Sequence, residues 1–335
     1  MRTRGSAAVG GLLGIAVGAV ALGLALRDVD PAALAAAFAR AGLASVALGA
    51  ALHVGVQLLY ALRWRVLLGR PDLSAARAVG VVGLGYLANY TLPGRPGELV
   101  RAGLIRGLAG VPFVLALASL LLEKVLDGIS ILGSALAYSL TGELPGLLRG
   151  SVMLGAGTFA VAGALLLLVA LAPVGRLPLP RWARERLAEV GGPVRNVARP
   201  AALLLLVLLG ALIWLGIVAL QAMLCLAVGL PPEPRAWLLL YAALGLASVV
   251  PGAPGYLGTY QLAAVLALGA FGIERELAFA VATLYQVSRL LGSLAVGAWA
   301  ASREGLTALR IYWASTPGRD QPSSHHASSS PASER

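Results

Sequence analysis

The residues best able to do chemistry stand in one stretch, Leu92-Pro93-Gly94-Arg95-Pro96-Gly97-Glu98-Leu99-Val100-Arg101. It places two Pro-Gly pairs, a carboxylate and two guanidiniums in a chain that otherwise avoids charge. A helix restarting at Gly97 offers unpaired amides in its first turn, and such an end attracts an anion. Arg95 in the turn and Arg101 one turn into the helix can each hold a phosphate with two parallel hydrogen bonds. Glu98, three residues before Arg101, shares its face; it can steer that guanidinium or accept from a polar headgroup. The competing reading is a self-satisfied Glu98–Arg101 pair capping a surface helix. Asn89, one turn before the break, adds an amide. The same punctuation returns at Pro251-Gly252-Ala253-Pro254-Gly255, followed by Tyr256.

A second set of charges, Glu123, Lys124, Asp127 and Arg289, lies inside apolar runs. A charge at the depth of a membrane span costs at least ~2.5 kcal/mol, so such residues face a polar interior or a partner. Glu123 and Asp127 are helical neighbours on one face. They are expected to neutralise Arg95, Arg101 or Arg289, or to carry a coupling proton. Lys124 points about 100° away and pairs elsewhere. Gln57, Gln221 and Gln261 read as interhelical hydrogen bonders, Gln286 precedes Arg289 by a turn, and His53 reads as a packing residue.

The rest of the chemistry is sparse. There are three histidines, one cysteine (Cys225) and no metal-ligand spacing, Ser/His/Asp set or phosphate-binding loop. No metal or cofactor is expected, and an enzyme is not the favoured class. The chain of 335 residues is 59% hydrophobic and 12% charged, which places it among polytopic membrane proteins. Its net charge of +11 fits basic loops on the cytoplasmic side and an anionic lipid surface. The basic residues are not interleaved with aromatics, so no nucleic-acid partner is expected.

The elements that must carry these residues follow from apolar run length. Ser6–Leu26 is a first span rather than a cleaved leader. Asp30 caps a short amphipathic helix opening at Pro31. Leu43–Leu62 is the second span, ending in the interfacial anchor Arg63-Trp64-Arg65 and a basic loop. Ala78–Leu92 and Gly97–Gly110 are each too short to cross. With basic residues at both ends, they read as a re-entrant hairpin from the cytoplasmic side; one full crossing and a surface helix is the alternative. Val111–Leu140 and Ser151–Ala172 cross, Trp182–Val197 is amphipathic, and Pro200–Val228 crosses outward. Ala236–Val250 and Gly258–Phe271 form a second hairpin, entering from outside, before a last span at Leu277–Ala301.

The expected fold is thus an all-α polytopic membrane protein of about six full spans plus two re-entrant hairpins. Residues 1–303 form the membrane domain, and 304–335 a disordered polar cytoplasmic tail. Residues 43–141 and 200–302 are the halves of an inverted-topology repeat, with the binding site where the broken helices meet.

These motifs resemble a known family. Asn89 with the Leu92–Arg101 stretch, Glu123-Lys124-Val125-Leu126-Asp127, Val249–Gly258 and Arg289 are similar to the transmembrane region of lysylphosphatidylglycerol synthases, over roughly residues 8–303. The resemblance implies a flippase-like domain in a bacterial cytoplasmic membrane, with both termini cytoplasmic. It would move lipids between leaflets, most familiarly aminoacylated phosphatidylglycerol. The family often has Arg where Lys124 stands, and no soluble aminoacyl-transferase domain accompanies this chain. Synthase activity is therefore not expected. A lipid flippase working on an anionic phospholipid or polyprenyl-linked headgroup is the leading expectation, with homo-oligomerisation open. A membrane-embedded transferase or accessory subunit using Glu98 or Asp127 as base, or a solute transporter, are the alternatives.

Overall fold

A computed structural model describes residues 2–92, 96–144, 146–172, 180–249 and 253–315. The described residues form eleven α-helices: α1 Arg2–Leu26, α2 Pro31–Leu68, α3 Ala75–Thr91, α4 Gly97–Ala109, α5 Phe113–Ser139, α6 Gly146–Leu171, α7 Arg181–Val197, α8 Pro200–Ala227, α9 Pro234–Ala247, α10 Thr259–Gly269 and α11 Arg275–Ser315. A 3-10 turn at Pro254–Tyr256 lies between α9 and α10.

The local signals act where the sequence puts them. Asp30 accepts the Ala32 amide at 2.9 Å, and Pro31 takes the first helical position. Gly42, at φ 67°, breaks α2 between its amphipathic start and its spanning part. Gly69 closes α2 in the left-handed conformation. α11 runs on to Ser315, past the boundary at 303 expected from composition; residues 316–335 lie outside the described ones.

Among the described residues, four helical stretches are long and apolar enough to cross a membrane: Pro31–Leu68, Leu148–Leu171, Pro200–Ala227 and Arg275–Arg303. The expected count of six full spans also included α1 and α5. α5 has 27 residues but carries Glu123, Lys124 and Asp127 along its length. The protein is a multi-pass membrane protein. Its spans differ in role. The most apolar 18 residues of Pro200–Ala227 have a mean hydropathy of 3.0 and 22% of them are buried, whereas those of Arg275–Arg303 have 1.3 and 61% are buried. α8 therefore turns a leucine face outward to lipid, and α11 forms the core.

At that core α2 and α11 cross through small residues. A Cβ on Gly49 would meet the Ser288 hydroxyl, and one on Gly292 would meet the Ala50 carbonyl oxygen at 2.8 Å. Close backbone approach substitutes for the hydrophobic drive that lipid does not supply. Gln57 donates to Ser293 at 3.2 Å across the same seam, and His53 packs edge-on against Tyr86.

Two pairs of short helices flank α11. α3 packs on α4 and α9 on α10. α3, the longest of the four at 17 residues, rises only about 26 Å, short of a hydrocarbon core of roughly 30 Å. Gly97 beside the first break is buried, as are Gly255 and Tyr256 in the second. The described backbone groups beside both breaks find partners in protein. The Gly97 amide donates to Asn89 Oδ1 at 2.7 Å. In the second break the Gly258 amide donates to Gln261 Oε1 at 2.8 Å, and Gln286 donates to the Gly255 carbonyl at 2.7 Å. Gln261 in turn donates to Gln286, so one amide chain ties α10, α11 and the turn together.

Candidate functional site

α5 carries three of the charges that lie in apolar runs, and each meets a partner from another helix. Glu123 receives both terminal nitrogens of Arg101 from α4, at 2.7 and 3.2 Å. This pair is almost sealed, with side chains 5% and 0% exposed. Arg101 also lies over the Trp64 ring at 4.4 Å, and Trp64 donates to Ser119 at 2.9 Å. Asp127 receives Arg63 Nη2 from α2 at 2.5 Å. Lys124 reaches Glu98 at 3.1 Å, in a half-exposed pair. The charges of α5 thus fasten α2 and α4 to it.

Arg289 on α11 is held differently. Among the described residues no carboxylate pairs with it. Its guanidinium sits among four tyrosine rings, with centroids at 5.9 Å for Tyr90, 5.8 Å for Tyr256, 5.9 Å for Tyr260 and 5.2 Å for Tyr285. It donates to the Tyr260 hydroxyl at 3.0 Å. The rings come from both helix breaks: Tyr90 from the end of α3, Tyr256 from the 3-10 turn, its ring 6.3 Å from that of Tyr90. Tyr256 and Tyr260 stack at 4.5 Å. Aromatic faces stabilise a cation without neutralising it.

A cavity of about 300 Å³ opens beside this cage. Arg289, Tyr256, Tyr260 and Tyr285 line it together with Glu98, Lys124 and Asp127 and with apolar side chains of α5 and α6. Gln221 also faces it, 1% exposed, its side-chain oxygen without a hydrogen-bond partner. The volume suits a small polar headgroup. The arrangement offers a cation, an unused amide acceptor and half-exposed charges at the boundary of an apolar space. It can bind an anion; among the described residues no group of metal-ligating side chains could hold a metal ion.

The sequence matches a family model, the lysylphosphatidylglycerol synthase transmembrane region, over residues 11–297. The chain belongs to this family. Comparison with curated proteins and with solved structures finds no match.

Within this lysylphosphatidylglycerol synthase-type membrane region, the expected site residues part company. Arg95, Pro251 and Gly252 lie outside the described residues. Tyr256 and Arg289 come together at the cavity, and Glu98, Lys124 and Asp127 line it. Arg101 does not present a free fork to a phosphate, because Glu123 occupies both terminal nitrogens. Glu98 does not steer Arg101, because it turns to Lys124. Asn89 and Gly97 bond to each other, so the amide expected to meet an anion is capped. Gly255 serves the turn through its carbonyl.

Two groups were not marked by the sequence. Arg63 reads as an interfacial anchor but is 1% exposed, and it pairs with Asp127. Tyr90, Tyr260 and Tyr285 carry no local signal of their own. Of these, Tyr285, four residues before Arg289 and on the same helical face, is the one a helical wheel could have found.

Proposed function

We propose that the protein moves a phosphate-bearing lipid between the leaflets of a bacterial cytoplasmic membrane. The headgroup occupies the cavity with its phosphate on Arg289, while the acyl chains stay in lipid. One observation carries this reading: Arg289 is a partly buried cation at the wall of a cavity, set among tyrosine faces and, among the described residues, without a carboxylate partner. A cation kept without a counter-ion at membrane depth has its charge left for a ligand. The unused Gln221 oxygen fits a hydroxyl or amine on the same headgroup. The α3–α4 and α9–α10 pairs act as re-entrant hairpins from opposite faces, the two halves of an inverted repeat. Their breaks contribute Tyr90 and Tyr256 to the cage, so rocking of one half against the other would carry Arg289 from one leaflet's reach to the other's. Both termini lie on the cytoplasmic side in this reading, as the basic loops favour.

The test is reconstitution. Vesicles holding the purified protein and a headgroup-labelled anionic phospholipid should lose label to a membrane-impermeant reductant faster than empty vesicles. Arg289→Gln should reduce that rate by on the order of tenfold or more. A variant that is folded and moves lipid at the parent rate would overturn the proposal.

A further inference from the structure

A second cavity, of about 410 Å³, lies away from the Arg289 cage, between the end of α2 and the α7–α8 corner. Its floor is apolar: Leu62 and Val66 on α2 face Leu205 and Leu209 on α8. Leu62 and Leu205 are 37% and 44% exposed, so the floor continues onto the outer surface of two spanning helices. Its rim is cationic, with Arg65, Arg70 and Arg199. Arg70 is balanced by Asp72 through two bonds of 2.8 and 2.7 Å. The Arg70 hydrogen bond holds the Asp72 carboxyl below its usual range, so the aspartate stays ionised at neutral pH and that pair is neutral.

Among the described residues, no carboxylate pairs with Arg65 or Arg199. Arg65 gives one terminal nitrogen to the Pro71 carbonyl at 3.1 Å, and its Nε is buried with no acceptor. Among the described residues, the Arg199 side chain makes no ion pair or hydrogen bond. Arg199 is also the residue before α8, which begins without a side-chain cap. The free amides of that first turn therefore add positive potential at the same rim. Two uncompensated guanidiniums over an apolar floor have the chemistry of one ligand: an anionic lipid with its phosphate at the rim and its chains along the helices.

We infer that this groove is a bound-lipid site for an anionic glycerophospholipid, separate from the Arg289 cavity and not part of the transport path. Basic pockets between spanning helices at the membrane surface hold anionic headgroups in this way. The site ties α7 to the α2–α8 seam at the point where Asn196 bridges them, donating to the Leu67 carbonyl at 3.3 Å.

The experiment is carried out in Arg289→Gln protein, so that lipid in the first cavity does not contribute. The protein is extracted from vesicles of equal phosphatidylglycerol and phosphatidylcholine, delipidated in steps and weighed by native mass spectrometry. Phosphatidylglycerol should be retained preferentially. Adding Arg65→Gln and Arg199→Gln should lower retention by on the order of tenfold. A separate Ala202→Trp variant fills the groove, keeps every cation, and should lower it as well. Unchanged retention in the double-arginine variant overturns the inference. So does loss in that variant with full retention in Ala202→Trp, which would mark a diffuse surface-charge effect. Release of the lipid by excess inorganic phosphate would show a site for free anions and would equally refute it.

Discussion

Arg101 and Arg289 carry the same charge in opposite settings. Arg101 is locked to Glu123 with almost no exposure, so its role is to join α4 to α5. Glu123→Leu should leave that guanidinium buried and unpaired, at a cost of about 3–5 kcal/mol. The thermal unfolding temperature of the purified protein should fall clearly, and Arg101→Met added to Glu123→Leu should restore much of the loss. If Glu123→Leu alone melts like the parent, the pair is not holding the helices. Arg289 is the reverse case. Its replacement by Gln breaks no ion pair, only the Tyr260 hydrogen bond and the aromatic contacts, so it should lower the unfolding temperature less than Glu123→Leu while cutting lipid movement by on the order of tenfold or more. Arg289→Lys should recover only part of the movement, since an ammonium keeps the charge but not the planar fork.

Among the elements, α3 and α4 meet through glycines. A Cβ on Gly97 would collide with the Gly85 carbonyl oxygen and the Asn89 amide, and one on Gly85 with the Arg101 side chain. Gly97→Ala should therefore separate the two helices and cost about 1–3 kcal/mol, read as a lower melting temperature with the Gly97–Asn89 bond lost. Helix positions of this kind were legible in the sequence. Runs of apolar residues marked the long helices, and Pro-Gly pairs marked where α3 and α9 stop, because those features are local. The partners of the charges were not legible. Glu98 and Lys124 are 26 residues apart by number, and nothing in their spacing says that they meet. Arg63 was hidden for a related reason: an Arg-Trp-Arg run at the end of an apolar stretch reads as an interfacial anchor unless its neighbour in space, here Asp127, is known. The tyrosine cage is assembled from α3, the 3-10 turn, α10 and α11, and only tertiary packing brings it together.

At the scale of the whole molecule, the contact of Tyr90 and Tyr256 is the geometrical condition for a site that the α3–α4 and α9–α10 pairs share. Tyr90 and Tyr256 can be replaced by cysteines in a Cys225→Ser background, which removes the only native thiol. A short bifunctional thiol reagent should join them, as their rings lie 6.3 Å apart. The joined protein should stop moving lipid in vesicles, and a cleavable reagent should allow recovery after reduction. Lipid movement at the uncrosslinked rate, in protein shown to be fully joined, would mean that the two helix pairs do not need to separate at this point for lipid to move.

Tyr256 holds a backbone angle of φ 67°, in the region where a side chain sits poorly and costs roughly 1–2 kcal/mol. The turn is in this respect a sprung catch, held by the Gln286 and Thr259 hydrogen bonds and by the ring of Tyr260 stacked upon it. Tyr260→Ala would let the catch loosen although residue 260 has no part in the turn's own backbone. Hydrogen–deuterium exchange would register it first at the Tyr256 and Leu257 amides, which bond to the Ala253 and Pro254 carbonyls.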